Sequence, residues 1–189
     1  MSTLNEKFSN VCFTIYSEIK HLELYLELLR EFEKNASSGS ELIKIIKNSI
    51  GHQIVTIFSR IVEGASRNSA NIFYIRNFVN SEIGNISGYD KEILKRLLVD
   101  IDNFAEEYAN DIKIFEDVKD VKISHNDLKL AKLGQTKTLN FSLTRMTEIT
   151  NKLIEIFKKF IPEDKDNFSP EFIKKIKNEV AVLFKDLNN

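Results

Sequence analysis

The sequence predicts an all-α fold, an up-and-down bundle of five or six helices forming one domain over residues 1–189. Three observations carry this expectation. Apolar residues recur at three- and four-residue steps through long stretches, the period of an amphipathic helix. Only two prolines and six glycines interrupt 189 residues, too few for a turn-rich β fold. No stretch shows sustained apolar–polar alternation bounded by hairpin turns.

The first helix runs from about residue 4 to 34. Phe8, Val11, Cys12, Ile15, Ile19, Leu22, Leu26 and Leu29 form its apolar stripe, with Lys20, Glu23, Glu27 and Arg30 on the other face. The stretch Asn35-Ala36-Ser37-Ser38-Gly39-Ser40 breaks the pattern, and Ser40 is the expected N-cap of a second helix over 41–65. The middle of that helix (Ile50, Ile54, Ile57, Phe58, Ile61, Val62) is apolar almost all round, which predicts a place at the centre of the bundle. A short helix is expected over 70–80. A long one follows over about 90–121, with Leu94, Leu97, Ile101, Phe104, Tyr108, Ile112 and Phe115 inward. Another spans about 139–160. The last, 170–187, opens on Ser169 as N-cap and Pro170 at its first position, with Phe168 and Ile173 spaced as a hydrophobic staple.

Composition narrows the function. A net charge of −1 excludes a globally basic nucleic-acid binder but leaves room for a local cationic patch. The single cysteine, Cys12, cannot close an internal disulfide and reads as a small buried hydrophobe. The N-terminus lacks a signal-peptide pattern, and no apolar run approaches the roughly 18 residues needed to cross a bilayer. A cytoplasmic protein without membrane attachment is expected.

Most common chemistries have no residues to support them. His21, His52, His125 and Cys12 are too scattered for a zinc site, and Gly64-Ala65-Ser66-Arg67 lacks the glycines and lysine of a phosphate loop. Glu106 and Glu107 are adjacent on an exposed helix face. Glu18-Ile19-Lys20-His21 has the Glu-x-x-His spacing of a helical di-iron site, but only once and on the polar side of its helix. No metal or other cofactor is expected. His21 is expected at the surface and His52 in the core or an interface, whereas Arg60 and Arg67 are charges near an apolar helix that need a partner.

One segment stands apart. Lys119-Asp120-Val121-Lys122-Ile123-Ser124-His125-Asn126-Asp127-Leu128 places a histidine among charges where a long helix ends. It resembles the signature of HEPN domains, an Arg, usually a polar residue next, four to six intervening positions in all, and then His. Its Ser-His-Asn-Asp ending is similar to the AbiU-like branch associated with abortive infection. The run Ile54 to Glu63, containing Ser59-Arg60-Ile61, followed by Ile72 to Val79, resembles the Ser/Ala-Arg helix of the same branch. The order of helices also agrees, so the resemblance covers roughly residues 15–160.

That resemblance implies a homodimeric helical bundle acting as a metal-independent endoribonuclease, a toxin or phage-defence protein, with an antitoxin or regulatory protein as a further partner. His125 would be the general acid/base and Lys119 the cation on the scissile phosphate, with Asp120, Lys122, Asn126, Asp127 and Arg60 binding the RNA. The roles suit the residues. Imidazole titrates near neutrality, and a fixed cation stabilises charge developing on phosphate. Lys119 stands where the signature has Arg, so it offers a point charge in place of a bidentate fork. Six helical residues set Lys119 and His125 about 120° apart, whereas Lys122 and His125 share a face. The alternative is a degenerate bundle that binds RNA or protein without cutting, His125 then being a helix-terminal residue favoured by the dipole.

Overall fold

A computed structural model describes residues 3–35, 41–64, 70–122, 142–161 and 170–187. Among the described residues there are seven helices and no strand. They are α1 (Leu4–Asn35), α2 (Glu41–Val62), α3 (Ile72–Glu82), α4 (Lys91–Glu107), α5 (Ala109–Lys122), α6 (Leu143–Lys158) and α7 (Pro170–Leu187). The expected all-α bundle is the architecture observed. The positions proposed for Ser40, Ser169 and Phe168 lie outside the described residues.

The axis of the bundle is α1, not α2. It packs against α2, α3, α6 and α7, and between Ile15 and Phe32 only His21 is exposed. Helix α2 instead turns Lys44, Ile45, Asn48, Ser49, His52, Gln53 and Arg60 to solvent. The charged face of α1 is covered as well: Lys20 is only 8% exposed and pairs with Glu23. Farther along, Glu27 accepts both from Arg30 of its own helix and from Lys177 of α7. Arg30 also donates to the Thr147 hydroxyl of α6 at 2.8 Å. A charge enters an interior only with its counter-charge, and here i, i+3 neighbours on α1 supply it before the other helices close over.

Chain directions follow from paired contacts. Glu18 meets Arg60 and Arg30 meets Thr147, while Phe8 packs edge-on to Phe160 with ring centres 5.6 Å apart. With Leu26 and Leu29 lying beside Gly51 and Val55, α2 and α6 both run antiparallel to α1. Asp100–Lys159 and Asp111–Arg145 likewise set α4 and α5 antiparallel to α6. The core is continuous through these layers, from Phe8, Tyr89 and Phe160 at one end to Phe58 against Phe115, with ring centres 4.4 Å apart, farther along.

Two local features depart from the sequence expectation. The helix predicted over 90–121 is divided at Tyr108, where φ −108° and ψ 17° leave the helical region. The ladder continues across it, Tyr108 N–H to Phe104 at 3.0 Å and Ile112 N–H to Tyr108 at 2.9 Å. Arg145 of α6 meets the chain at this point: it lies 4.7 Å over the Tyr108 ring while its guanidinium donates to Asp111, just after the break, at 3.0 Å. Second, α3 starts on Asn71, whose buried side chain accepts from Tyr74 N–H at 2.8 Å and caps the helix. Asn5 forms a two-bond clamp on Ser87, and a Cβ at Gly88 would stand 3.2 Å from the Asn5 amide nitrogen. Glycine at 88 permits that close approach.

The charged stripe of α1 makes a pH prediction. Burial acts to raise the Glu27 carboxyl, but Lys177 and Arg30 outweigh it and hold Glu27 below the ordinary carboxylate range. A folded-state value below the unfolded one adds stability above the unfolded carboxylate range, and that stability is lost as pH falls through the depressed folded value. We predict that Glu27→Gln lowers the unfolding free energy by about 1–3 kcal/mol at pH 7. The gap from wild type should shrink in urea melts below the carboxylate range, and a deficit equal at pH 7 and pH 3 would refute the assignment. Leu22→Ala, at a fully buried site of the same helix, is expected to cost about 2–5 kcal/mol by cavity formation with no such pH dependence.

Candidate functional site

Two parts of the fold bear on the chemistry expected from the sequence: the end of α5, which leads into the histidine segment, and the end of α2, which carries Arg60. Lys119, Asp120 and Lys122 belong to the last four residues of α5. His125, Asn126 and Asp127 lie outside the described residues, as does Arg67. Helix α5 is antiparallel to α2, and its Phe115 already lies beside Phe58, Val55 and Gly51. Beyond Phe115 the backbone therefore continues toward the end of the bundle where α2 begins. Arg60 is at the opposite end of α2, nine residues or about 13 Å of helix from Gly51.

The arginines are engaged. Arg60 donates to Glu18 at 2.8 Å across the α1–α2 contact. Arg145 is held by Asp111 at 3.0 Å and Glu148 at 3.3 Å. The Ser59 hydroxyl beside Arg60 is buried and has no hydrogen-bond partner among the described residues. The Ser59-Arg60 pair thus sits in a helix–helix contact.

The end of the bundle toward which α5 runs contains a cleft of about 250 Å³ between α1, α2, α5 and α6. Its floor is apolar, built from Leu26, Val55, Phe115 and Met146, all buried. Its rim on α2 carries Lys47, Asn48, Gly51 and His52. Residues 47 and 51, and 48 and 52, are each four apart, so all four present to the same side of the helix. Among the described residues the side chains of Lys47, Asn48 and His52 have no hydrogen-bond or ion-pair partner, and no carboxylate lines the cleft. Of the two places expected for His52, the core is not the one observed: the residue is exposed, because α2 lies at the side of the bundle. A Cβ on Gly51 would meet nothing within 4 Å, so close packing does not explain the glycine.

The sequence reading missed this rim because its residues were judged singly. Four-residue spacing of Lys47/Gly51 and Asn48/His52 is visible in the chain. That these residues border an opening depends on α1 and α6, which lie far away in sequence. Among the described residues, no three of His, Cys, Asp and Glu come together in a metal-holding group, and no helix is long and apolar enough to cross a membrane. Comparisons with family models, with curated proteins and with solved structures found no match.

Cys12 offers no reactive thiol. It is fully buried in α1, and that burial pushes its pKa far above the ordinary thiol value, so the thiolate is absent near neutrality. The expected result is no reaction with Ellman's reagent at pH 8 in the native protein and one equivalent in guanidinium. Rapid native labelling would contradict the buried placement.

Proposed function

We propose that this chain is a HEPN-like, metal-independent endoribonuclease in which His125 transfers the proton and Lys119 binds the scissile phosphate. The observation that carries the reading is the course of α5. Its last four residues, with Lys119 and Lys122, run toward the end of the bundle where Lys47, Asn48 and His52 rim a cleft that no carboxylate among the described residues lines. An RNA strand needs local positive charge on a protein of net charge −1, and apolar surface against which bases can stack. At this end stand Lys47, unpaired among the described residues, and the apolar floor of the cleft, and α5 brings the backbone of Lys119 and Lys122 toward them.

The chemistry requires few groups. His125 as base takes the proton of a ribose 2′-hydroxyl, whose oxygen attacks the adjacent phosphorus. The P–O5′ bond breaks and the leaving oxygen takes a proton from imidazolium, leaving a 2′,3′-cyclic phosphate and a 5′-hydroxyl. Lys119 neutralises the charge gathered on the phosphate, Lys122 and Asn126 contact the strand, and Asp127 orients the imidazole. In this proposal the chain acts as a homodimer, as a toxin or phage-defence protein restrained by an antitoxin or regulator.

A second reading, RNA or protein binding without cleavage, has one observation in its favour. Lys119 stands where the signature carries Arg, and two arginines able to replace it, Arg60 and Arg145, are bound by Glu18 and by Asp111 and Glu148.

Purified protein incubated with total cellular RNA in EDTA separates the readings. Fragmentation that disappears in His125→Ala is the expected result, with Lys119→Arg raising the rate through bidentate phosphate contact. Cleavage that needs a divalent metal, or that persists in His125→Ala, would falsify the assignment. Binding without cleavage by either wild type or Lys119→Arg would establish the second reading.

A further inference from the structure

We infer that the cleft between α1, α2, α5 and α6 is a binding site for a nucleotide unit, an aromatic base carrying a phosphate. It goes beyond the cleavage reading and needs none of the residues of the histidine segment. Four observations converge on it. Lys47 and the side chains of Asn48 and His52 have no partners among the described residues, although most cations elsewhere in the bundle are paired. No carboxylate among the described residues lines the cleft, so none of them opposes an anion at Lys47. The floor of Leu26, Val55, Phe115 and Met146 is apolar and fixed from behind, Phe115 by its contact with Phe58. Gly51 exposes bare helix backbone in the middle of the rim, with open space where a side chain would be.

The glycine is informative because a mid-helix glycine is destabilising relative to alanine. No neighbouring atom requires it here. A flat object lying against the backbone would. A volume of about 250 Å³ falls just below the range of drug-sized pockets, which suits one base and excludes a larger cofactor. The base stacks on the apolar floor and over Gly51. Asn48 offers both a donor and an acceptor to its edge, and Lys47 takes the phosphate as a point charge. His52, exposed at the same rim, contacts the sugar or phosphate.

Such a unit comes either from a free mononucleotide or from one position of an RNA strand. Two probes distinguish them: the four nucleoside 5′-monophosphates, and a mixed-sequence 2′-O-methyl decamer that cannot be cleaved through its 2′ oxygen. Each is titrated against wild type, Lys47→Glu, Gly51→Leu and, as a charge control at the opposite end of the bundle, Lys158→Glu. Thermal melts confirm folding. Gly51→Leu should melt no lower than wild type, since leucine favours helix and a Cβ at 51 meets nothing within 4 Å.

Binding weakened by about tenfold or more in both Lys47→Glu and Gly51→Leu, and unchanged in Lys158→Glu, supports the site. Monophosphate binding identifies a free nucleotide as the ligand, and binding of the decamer alone identifies a strand. Failure of wild type to bind either probe, or equal binding by Lys47→Glu and Gly51→Leu, overturns the inference. His125→Ala separates the two proposals: it should bind as wild type does whether or not cleavage is found.

Discussion

The bundle depends on the burial of α1 between Ile15 and Phe32, although about a third of the residues of that helix are charged. Lys20 with Glu23, and Glu27 with Arg30, bring their counter-ions with them at three-residue spacing. Lys177 and Thr147 then complete the second pair from α7 and α6. An unpaired ion in that position would cost several kcal/mol, a large fraction of the stability of a typical domain. Paired ions also demand one arrangement. Glu27 meets Lys177 only if α7 lies along that side of α1, and Arg30 meets Thr147 only in the observed register of α6.

The same arrangement creates the opening. With α1 at the axis, α2 is displaced to the flank and turns one side of its N-terminal half toward solvent. Arg145 ties α6 to the start of α5 through Tyr108 and Asp111, and farther along α5 Phe115 packs on Phe58. Leu26, Phe115 and Met146 then floor a cleft that α2 rims with polar groups. Burial and the neighbouring Glu107 carboxylate raise the Tyr108 phenol, which stays neutral beneath the guanidinium. A structural joint and a candidate binding surface therefore share one cause, the way α5 and α6 are pinned to each other.

The elements themselves were legible in the chain. Three- and four-residue apolar steps located each helix, and Pro170 marked the start of α7. What periodicity could not show was rank. The middle of α2 looked more apolar all round than α1, yet α1 is the central helix, because paired charges can be buried and a hydrophobic count does not register pairing. Nor could it show the division at Tyr108, since Leu97, Ile101, Phe104, Tyr108, Ile112 and Phe115 keep the helical period through the break. The group that meets the break, Arg145, lies more than thirty residues away in the chain.

The candidate chemistry divides in the same manner. The sequence by itself determined the helical class, the lone buried thiol, and the histidine segment that resembles a ribonuclease signature, because each is written in residues adjacent along the chain. Only the tertiary structure decided that Arg60 is committed to Glu18, that His52 faces solvent, and that Lys47, Asn48 and Gly51 border an open cleft that no carboxylate among the described residues lines. Those outcomes rest on which helices lie side by side. That is settled by charges and rings meeting across the fold, where local spacing carries no information.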